Sequence, residues 1–218
     1  MKAVILAAGN GKRMLPLTLT TPKPLLKWQG KTLIEHAIDI LPKEVDEVII
    51  VVGYLKEQFF DFFKTYITDK KITLVVQEEI AGTAPALMLC KDNIGDEKFI
   101  LMYADDIHDK GATADLLKYD LALLTKTVED ARPYGVVEKN SDGVITAIIE
   151  KPENPKTNEV AVGVYLLDSR IFTYFDSLRK DSKEYFLTEM IGHLILDHDV
   201  YAVLTPFWKK ITEPSDLL

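Results

Sequence analysis

The chain has 218 residues, 47% of them hydrophobic and 28% charged, which suits one α/β domain with a sizeable core. A formal net charge of −8 excludes a protein built to coat nucleic acid or an anionic membrane. The single cysteine, Cys90, excludes an intrachain disulfide, and no apolar run approaches the roughly 18 residues of a membrane span. The run after Lys2 is too short for a signal peptide, so the expected setting is cytoplasmic.

Lys2–Ala8 predicts a strand that breaks into Gly9-Asn10-Gly11-Lys12-Arg13. The first 34 residues carry Lys2, Lys12, Arg13, Lys23, Lys27 and Lys31 and no acid, a local cationic patch suited to a small anion. Pro22 and Pro24 flank Lys23 and predict a stiff extended arm that aims one ammonium. Helical period over Thr32–Leu41, Leu55–Tyr66 and Gly82–Cys90 alternates with strand-like runs at Glu47–Val52, Thr73–Val76 and Phe99–Tyr103. β-branched runs between amphipathic helices predict a mostly parallel sheet covered on both faces. Ligands bind such sheets outside the carboxyl ends of the strands, where Gly9–Arg13, Gly53-Tyr54, Gln77 and Ala104-Asp105 fall.

The second half changes rhythm. Tyr134–Lys139 and Val144–Lys151 flank Asp142-Gly143, a hairpin signal, and Val160–Leu167 predicts a further strand before a helix over Tyr185–Asp197. These predict antiparallel strands added to the same sheet, with no linker or repeat, so residues 1–218 are read as one domain. Cys90 falls on the buried face of a helix. His36, His108, His193 and His198 lack triad or metal spacing, and structural or solvated roles are expected for them.

The glycine pair fits either a plain tight turn or a phosphate cradle, because glycines let backbone amides approach an anion. It lacks the third glycine of a dinucleotide fingerprint, and the second strand ends Val52-Gly53-Tyr54 without an acid for a ribose. That disfavours a nicotinamide dehydrogenase. Gly11-Lys12-Arg13 also fails the P-loop pattern.

Leu6-Ala7-Ala8-Gly9-x-Gly11-x-Arg13-Met14-x-Pro16-Leu17-Thr18, followed by Pro22-Lys23-Pro24-Leu25, resembles the signature of the sugar-1-phosphate nucleotidyltransferases. The resemblance spans the chain and implies a Rossmann-like, three-layer α/β/α domain with a nucleotide-binding half (1–110) and a sugar-phosphate-binding half (111–218). It implies transfer of a nucleoside monophosphate from a triphosphate, UTP or dTTP, to a sugar 1-phosphate, with Mg²⁺ as cofactor. Arg13 and Lys23 would be catalytic. Leu6, Ala7, Ala8, Gly9, Gly11, Lys12, Gln77, Gly82 and Thr83 would bind the nucleotide, with Thr83 also expected as the N-cap of its helix. Tyr103, Gly135, Glu150, Lys151, Val162 and Thr188 would serve the sugar phosphate, the last within a matching Glu184–Glu189 stretch. Asp105 would bind the metal, and Asp106 would be a supporting or solvated neighbour.

The departures are Lys12 where Ser or Thr is usual, Ala104 for Gly, Ala161 for Asn, and above all Lys210 in Trp208-Lys209-Lys210, where the second metal-binding Asp is usual. The implied partners are the two substrates, with neither nucleic acid nor membrane, and a homo-oligomer is compatible. The competing readings are a nucleotide- or sugar-nucleotide-binding regulatory protein of the same fold, and a cytidylyltransferase acting on an alcohol phosphate. The Glu150-Lys151-Pro152 and Tyr134-Gly135-Val136-Val137 stretches favour the sugar.

Overall fold

Strand β1 (Lys2–Leu6) sends Ala3 and Ile5 into one hydrophobic cluster and Val4 and Leu6 into another. All four are buried, so the sheet has a packed face on either side, as a continuous apolar strand requires. The computed structural model describes residues 1–178 and 185–218, and Glu184 lies outside them. Strands β2 (Lys27–Trp28) and β3 (Lys31–Thr32) form a small hairpin, and α1 (Leu33–Asp39) follows under a complete Thr32–Glu35 capping box. Next come β4 (Glu47–Val52), α2 (Lys56–Thr65), β5 (Lys71–Val76), α3 (Thr83–Met88), α4 (Lys91–Ile94) and β6 (Phe99–Tyr103). Short β7 (Asp106–His108) and α5 (Ala112–Leu116) lead to β8 (Ala122–Thr127), β9 (Gly135–Lys139), β10 (Ile145–Glu150) and β11 (Glu159–Leu167). The chain then forms α6 (Leu187–Asp197), β12 (Tyr201–Leu204) and β13 (Trp208–Lys210).

The main sheet runs β10-β9-β11-β6-β1-β4-β5, with β8 and β12 extending from β11. β6, β1, β4 and β5 are parallel neighbours. The chain moves outward through β1, β4 and β5, then returns to the other side of β1 as β6. Helices change face at that return: Ile34, Ala37 and Phe59 join the cluster of Ile5, whereas Ala84, Leu87 and Ile94 join that of Val4. The gap between the carboxyl ends of β1 and β6 is therefore a topological switch point, the usual ligand position in a doubly wound sheet. β11 runs antiparallel to β6, and β9 and β10 extend that side, which brings Ala161–Gly163, Gly135 and Glu150 to the same end. β10 and β9 meet at the predicted turn, where Gly143 has φ +83°.

Three expectations change. Residues 12–25 form short 3₁₀ turns at Lys12–Met14, Leu17–Leu19 and Lys23–Leu25, not an extended arm. Pro24 is tolerated there because it sits in the first turn, where no amide is needed. The added strands are not all antiparallel, since β12 pairs parallel with β8. The last long helix starts at Leu187, two residues later than expected; its apolar positions Leu187, Met190, Ile191 and Leu194 make one buried stripe. Cys90 is fully buried, and burial pushes its thiol up to about 12.

Candidate functional site

The turn after β1 has its amides to spare. Among the described residues, Ala8, Gly9, Asn10 and Gly11 donate no backbone hydrogen bond, while Ala8 accepts one from Tyr54 at 3.2 Å. Gly11 adopts φ +58°, and a Cβ there would lie 3.0 Å from Thr18 Cγ2 and 3.1 Å from Lys23 Cβ. The glycine thus allows the Lys23 arm to lie against the turn, and Thr18 Oγ1 donates to the Gly11 carbonyl at 2.9 Å. Lys12 and Arg13 are exposed and make no ion pair among the described residues. The product is a run of amides without protein acceptors beside two cations without acidic partners, a donor set that suits an anion.

Lys23 closes one wall. Its side chain is only 9% exposed, and its Nζ lies 2.7 Å from Oδ2 of Asp105, which is 33% exposed. Asp105 follows β6, whose last residue Tyr103 is in register with Leu6 of β1. The adjacent Asp106 is buried rather than solvated, because β7 pairs with β13 and aligns Asp106 with Lys210. Trp208 Nε1 donates to Asp106 Oδ2 at 3.0 Å, while Oδ1 has no partner. Burial first, then the Asp105 charge, pushes the Asp106 carboxyl up; Lys210 and the indole N–H oppose this. The Lys210 ammonium stands 4.6 Å from the centre of the Tyr134 ring, and Tyr134 in turn packs edge-on against Trp208. His108 on the same ribbon is buried, and burial lowers it to about 4.

Gln77 follows β5, is buried, and donates through Nε2 to the Gly82 carbonyl at 3.3 Å. Gly82, not Thr83, is the N-cap of α3. The Thr83 hydroxyl instead accepts from the Leu187 amide at 2.9 Å, a partner 104 residues away that local sequence does not reveal. Tyr103 is reached by the Thr83 and Tyr165 hydroxyls, and burial pushes its phenol up to about 12 against them. Gly163, with φ +75°, leaves room for the Tyr103 ring: a Cβ would fall 2.6 Å from Cδ2.

On the far wall Glu150 Oε2 accepts from Thr188 Oγ1 at 3.2 Å, and a Cβ on Gly135 would sit 3.4 Å from the same oxygen. Lys151 has φ +46°, which costs a non-glycine residue on the order of 1–3 kcal/mol. Its amide donates to the Tyr134 carbonyl at 2.9 Å, which holds that conformation. Its ammonium is 3.5 Å from Glu150 Oε1 and 5.8 Å from the centre of the Phe186 ring. Val162 lies on β11 between the two sides. Sequence reasoning missed Phe186, Tyr134 as a partner of Lys210, and Gly163; only the last had a signal, a glycine inside a strand.

All the residues singled out as nucleotide, sugar-phosphate, catalytic or metal candidates line one cleft of about 570 Å³, and Lys210 lines it too. Lys12, Arg13 and Lys23 of the segment after β1 and Asp105 after β6 line it, as do Lys210 on β13 beside Tyr134 and Glu150, Lys151 and Thr188 from the β10 end and α6. Among the described residues no cluster of three or more His, Cys, Asp or Glu is present to hold a metal unaided. Beside Lys23, Asp105 offers a part-exposed carboxylate while Asp106 is buried, and that set fits a Mg²⁺ held by one carboxylate, substrate phosphates and water. None of the described helices is long and apolar enough to cross a membrane.

The nucleotidyl transferase family profile matches residues 2–218. The bifunctional protein GlmU of Methanocaldococcus jannaschii is 36% identical over 220 residues, covering 100% of this chain and 53% of that protein. The chain thus spans about half the length of the GlmU relatives it matches. The UTP–glucose-1-phosphate uridylyltransferase AglF of Haloferax volcanii is also 36% identical, over 228 residues, covering 99% of this chain and 93% of AglF. Among solved structures, a UDP-glucose pyrophosphorylase complexed with UDP-glucose superposes with a TM-score of 0.81 at 27% identity, covering 93% of this chain and 90% of that one.

Proposed function

The chain belongs to the nucleotidyl transferase family, and from that premise we propose that it transfers a nucleoside monophosphate from a triphosphate to a sugar 1-phosphate. The observation that carries the reading is the single cleft with free amides and cations on one wall and a Glu150–Thr188 pair with Lys151 on the other. Residues 1–110 form the nucleotide half and residues 111–218 the sugar-phosphate half. UTP and a glucose-like sugar are the favoured pair, by likeness to AglF and to the pyrophosphorylase solved with UDP-glucose.

In the reaction a sugar-phosphate oxygen forms a bond to the α-phosphorus as the bond to the bridging oxygen breaks, and pyrophosphate leaves. A phosphomonoester has a second pKa of about 6, so the nucleophile needs no general base at neutral pH. Catalysis then rests on positioning and charge neutralisation. The Ala8–Gly11 amides cradle the triphosphate, and the Arg13 guanidinium takes the pyrophosphate oxygens in its fork. Lys23 faces the α-phosphate as charge builds there, held in place by its contact with Asp105. Lys210, beside Tyr134, adds a further ammonium to the cleft. Gln77 and the Gly82 backbone read the base, Glu150 and Thr188 take sugar hydroxyls, Lys151 takes the sugar phosphate, and Tyr103, Gly135 and Val162 shape the sugar pocket. Mg²⁺, when bound through Asp105, supplies further charge neutralisation on the phosphates.

A second reading, a binding or regulatory protein without turnover, draws on Lys210: among the described residues the cleft's other carboxylates are Asp106, which is buried, and Glu150, which stands on the sugar wall. A thermal-shift panel of triphosphates and sugar 1-phosphates tests the substrate assignment. UTP or dTTP and a glucose-like sugar 1-phosphate should each raise the melting temperature; failure of every pair would overturn both readings.

A further inference from the structure

We propose that Thr83 is a positioning residue that ties the nucleotide side of the cleft to the sugar side, so that a bound triphosphate raises the affinity for the sugar phosphate. The inference rests on the nucleotidyltransferase reading above. Its basis is a seam between two segments distant in sequence. Ala84 N donates to the Tyr185 carbonyl at 3.0 Å, and Tyr185 N donates to the Ala81 carbonyl at 2.9 Å. Gly82 lies at the centre of the seam with φ +112°, and a Cβ there would fall 2.3 Å from the Tyr185 oxygen. The two backbones are therefore in direct contact, which only glycine permits.

The Thr83 hydroxyl completes the seam by accepting from the Leu187 amide at 2.9 Å. Leu187 is the first residue of α6, and that amide has no partner within its own helix. The next residue, Thr188, donates to Glu150 on the sugar wall. On the other side, Gly82 is held by Gln77 through its carbonyl. A base that engages Gln77 and Gly82 thus acts on the same rigid seam that sets Thr188 and Glu150. The Tyr103 phenol, beside both Thr83 and Tyr165, fills the space between the two sides. The Leu187 amide takes one acceptor site of the Thr83 hydroxyl, which ties that side chain to the start of α6. Coupling of this kind is reciprocal, so the sugar phosphate raises triphosphate affinity by the same factor.

The test is calorimetric. Glucose 1-phosphate is titrated into wild type, Thr83→Val and Thr83→Ser, each with and without the α,β-methylene analogue of UTP or dTTP, which cannot release pyrophosphate. Wild type should bind the sugar phosphate at least about fivefold tighter when the analogue is present. Thr83→Ser should keep that gain, and Thr83→Val, titrated at a saturating concentration of the analogue, should lose it. A gain retained by Thr83→Val, absent from wild type or lost from Thr83→Ser would overturn the proposal and leave the nucleotidyltransferase reading standing. Wild type that binds neither ligand overturns both. Should Thr83→Val not fold, hydrogen exchange in wild type decides: the analogue alone should slow exchange of the Leu187 and Thr188 amides, and unchanged rates would overturn the coupling.

Discussion

Replacing Lys23 by Ala removes the only cation paired with Asp105 among the described residues. If the ammonium neutralises charge building on the α-phosphate, its loss should lower kcat by about 10²–10³, the usual cost of one such donor. That corresponds to roughly 3–4 kcal/mol of transition-state stabilisation. KM for the triphosphate should rise by less than about tenfold, because Arg13 and the turn amides still bind it. Stability also falls, since Asp105 loses its partner at 2.7 Å. Breaking a fully buried pair costs about 3–5 kcal/mol, but Asp105 is one-third exposed to the cleft, so water lowers the cost to about 1–2 kcal/mol. For a chain of this length the melting temperature should then drop by about 2–8 °C, leaving the protein folded at assay temperature. Initial rates of pyrophosphate release under saturating substrates, alongside melting curves, measure both effects. A variant that melts within this window yet turns over within about fivefold of wild type would refute the role given to Lys23.

Three further outcomes follow from the same geometry. Lys210→Asp exchanges an ammonium in the cleft for a carboxylate and should lower the Mg²⁺ concentration for half-maximal rate by on the order of tenfold; an unchanged metal titration contradicts the placement of Lys210 beside the phosphates. Gly163→Ala forces a Cβ to within 2.6 Å of the Tyr103 ring at φ +75°, so KM for the sugar phosphate should rise more than KM for the triphosphate, with about 1–3 kcal/mol lost in urea unfolding. Asp120 is held down to about 2 by hydrogen bonds from Lys98 and Arg170. Its contribution is therefore present above the ordinary carboxylate pKa of about 4 and is lost as pH falls toward 2. Asp120→Asn should melt slightly below wild type near pH 6, with the gap narrowing as pH drops through about 3; a gap that widens in acid would contradict that sign.

What was legible in the sequence follows from how local each signal is. Glu47–Val52 is a strand because the five β-branched residues after Glu47 leave no polar face, and Thr32 with Glu35 marks the helix start three residues apart. The glycine turn, the Lys23 arm and the Asp105 strand end were visible as motifs, and the fold brings all of them to one cleft. The features that escaped are made by distant partners. β7 and β13 are three residues each and exist only by pairing with one another, so the burial of Asp106 under Trp208 has no local trace. Thr83 looked like an N-cap because Thr before an apolar run usually is one; its oxygen was claimed instead by Leu187. β8 and β12 support each other across the chain, and their parallel pairing could not be read from either run alone.

The most direct measurement mixes the purified protein with UTP or dTTP, a panel of sugar 1-phosphates and Mg²⁺, and quantifies pyrophosphate and sugar nucleotide together. One pair should yield the two products in equal amounts, with no pyrophosphate when either substrate is left out. A protein that binds the triphosphate yet releases no pyrophosphate with any sugar phosphate would contradict the account and mark the cleft as a binding site without turnover.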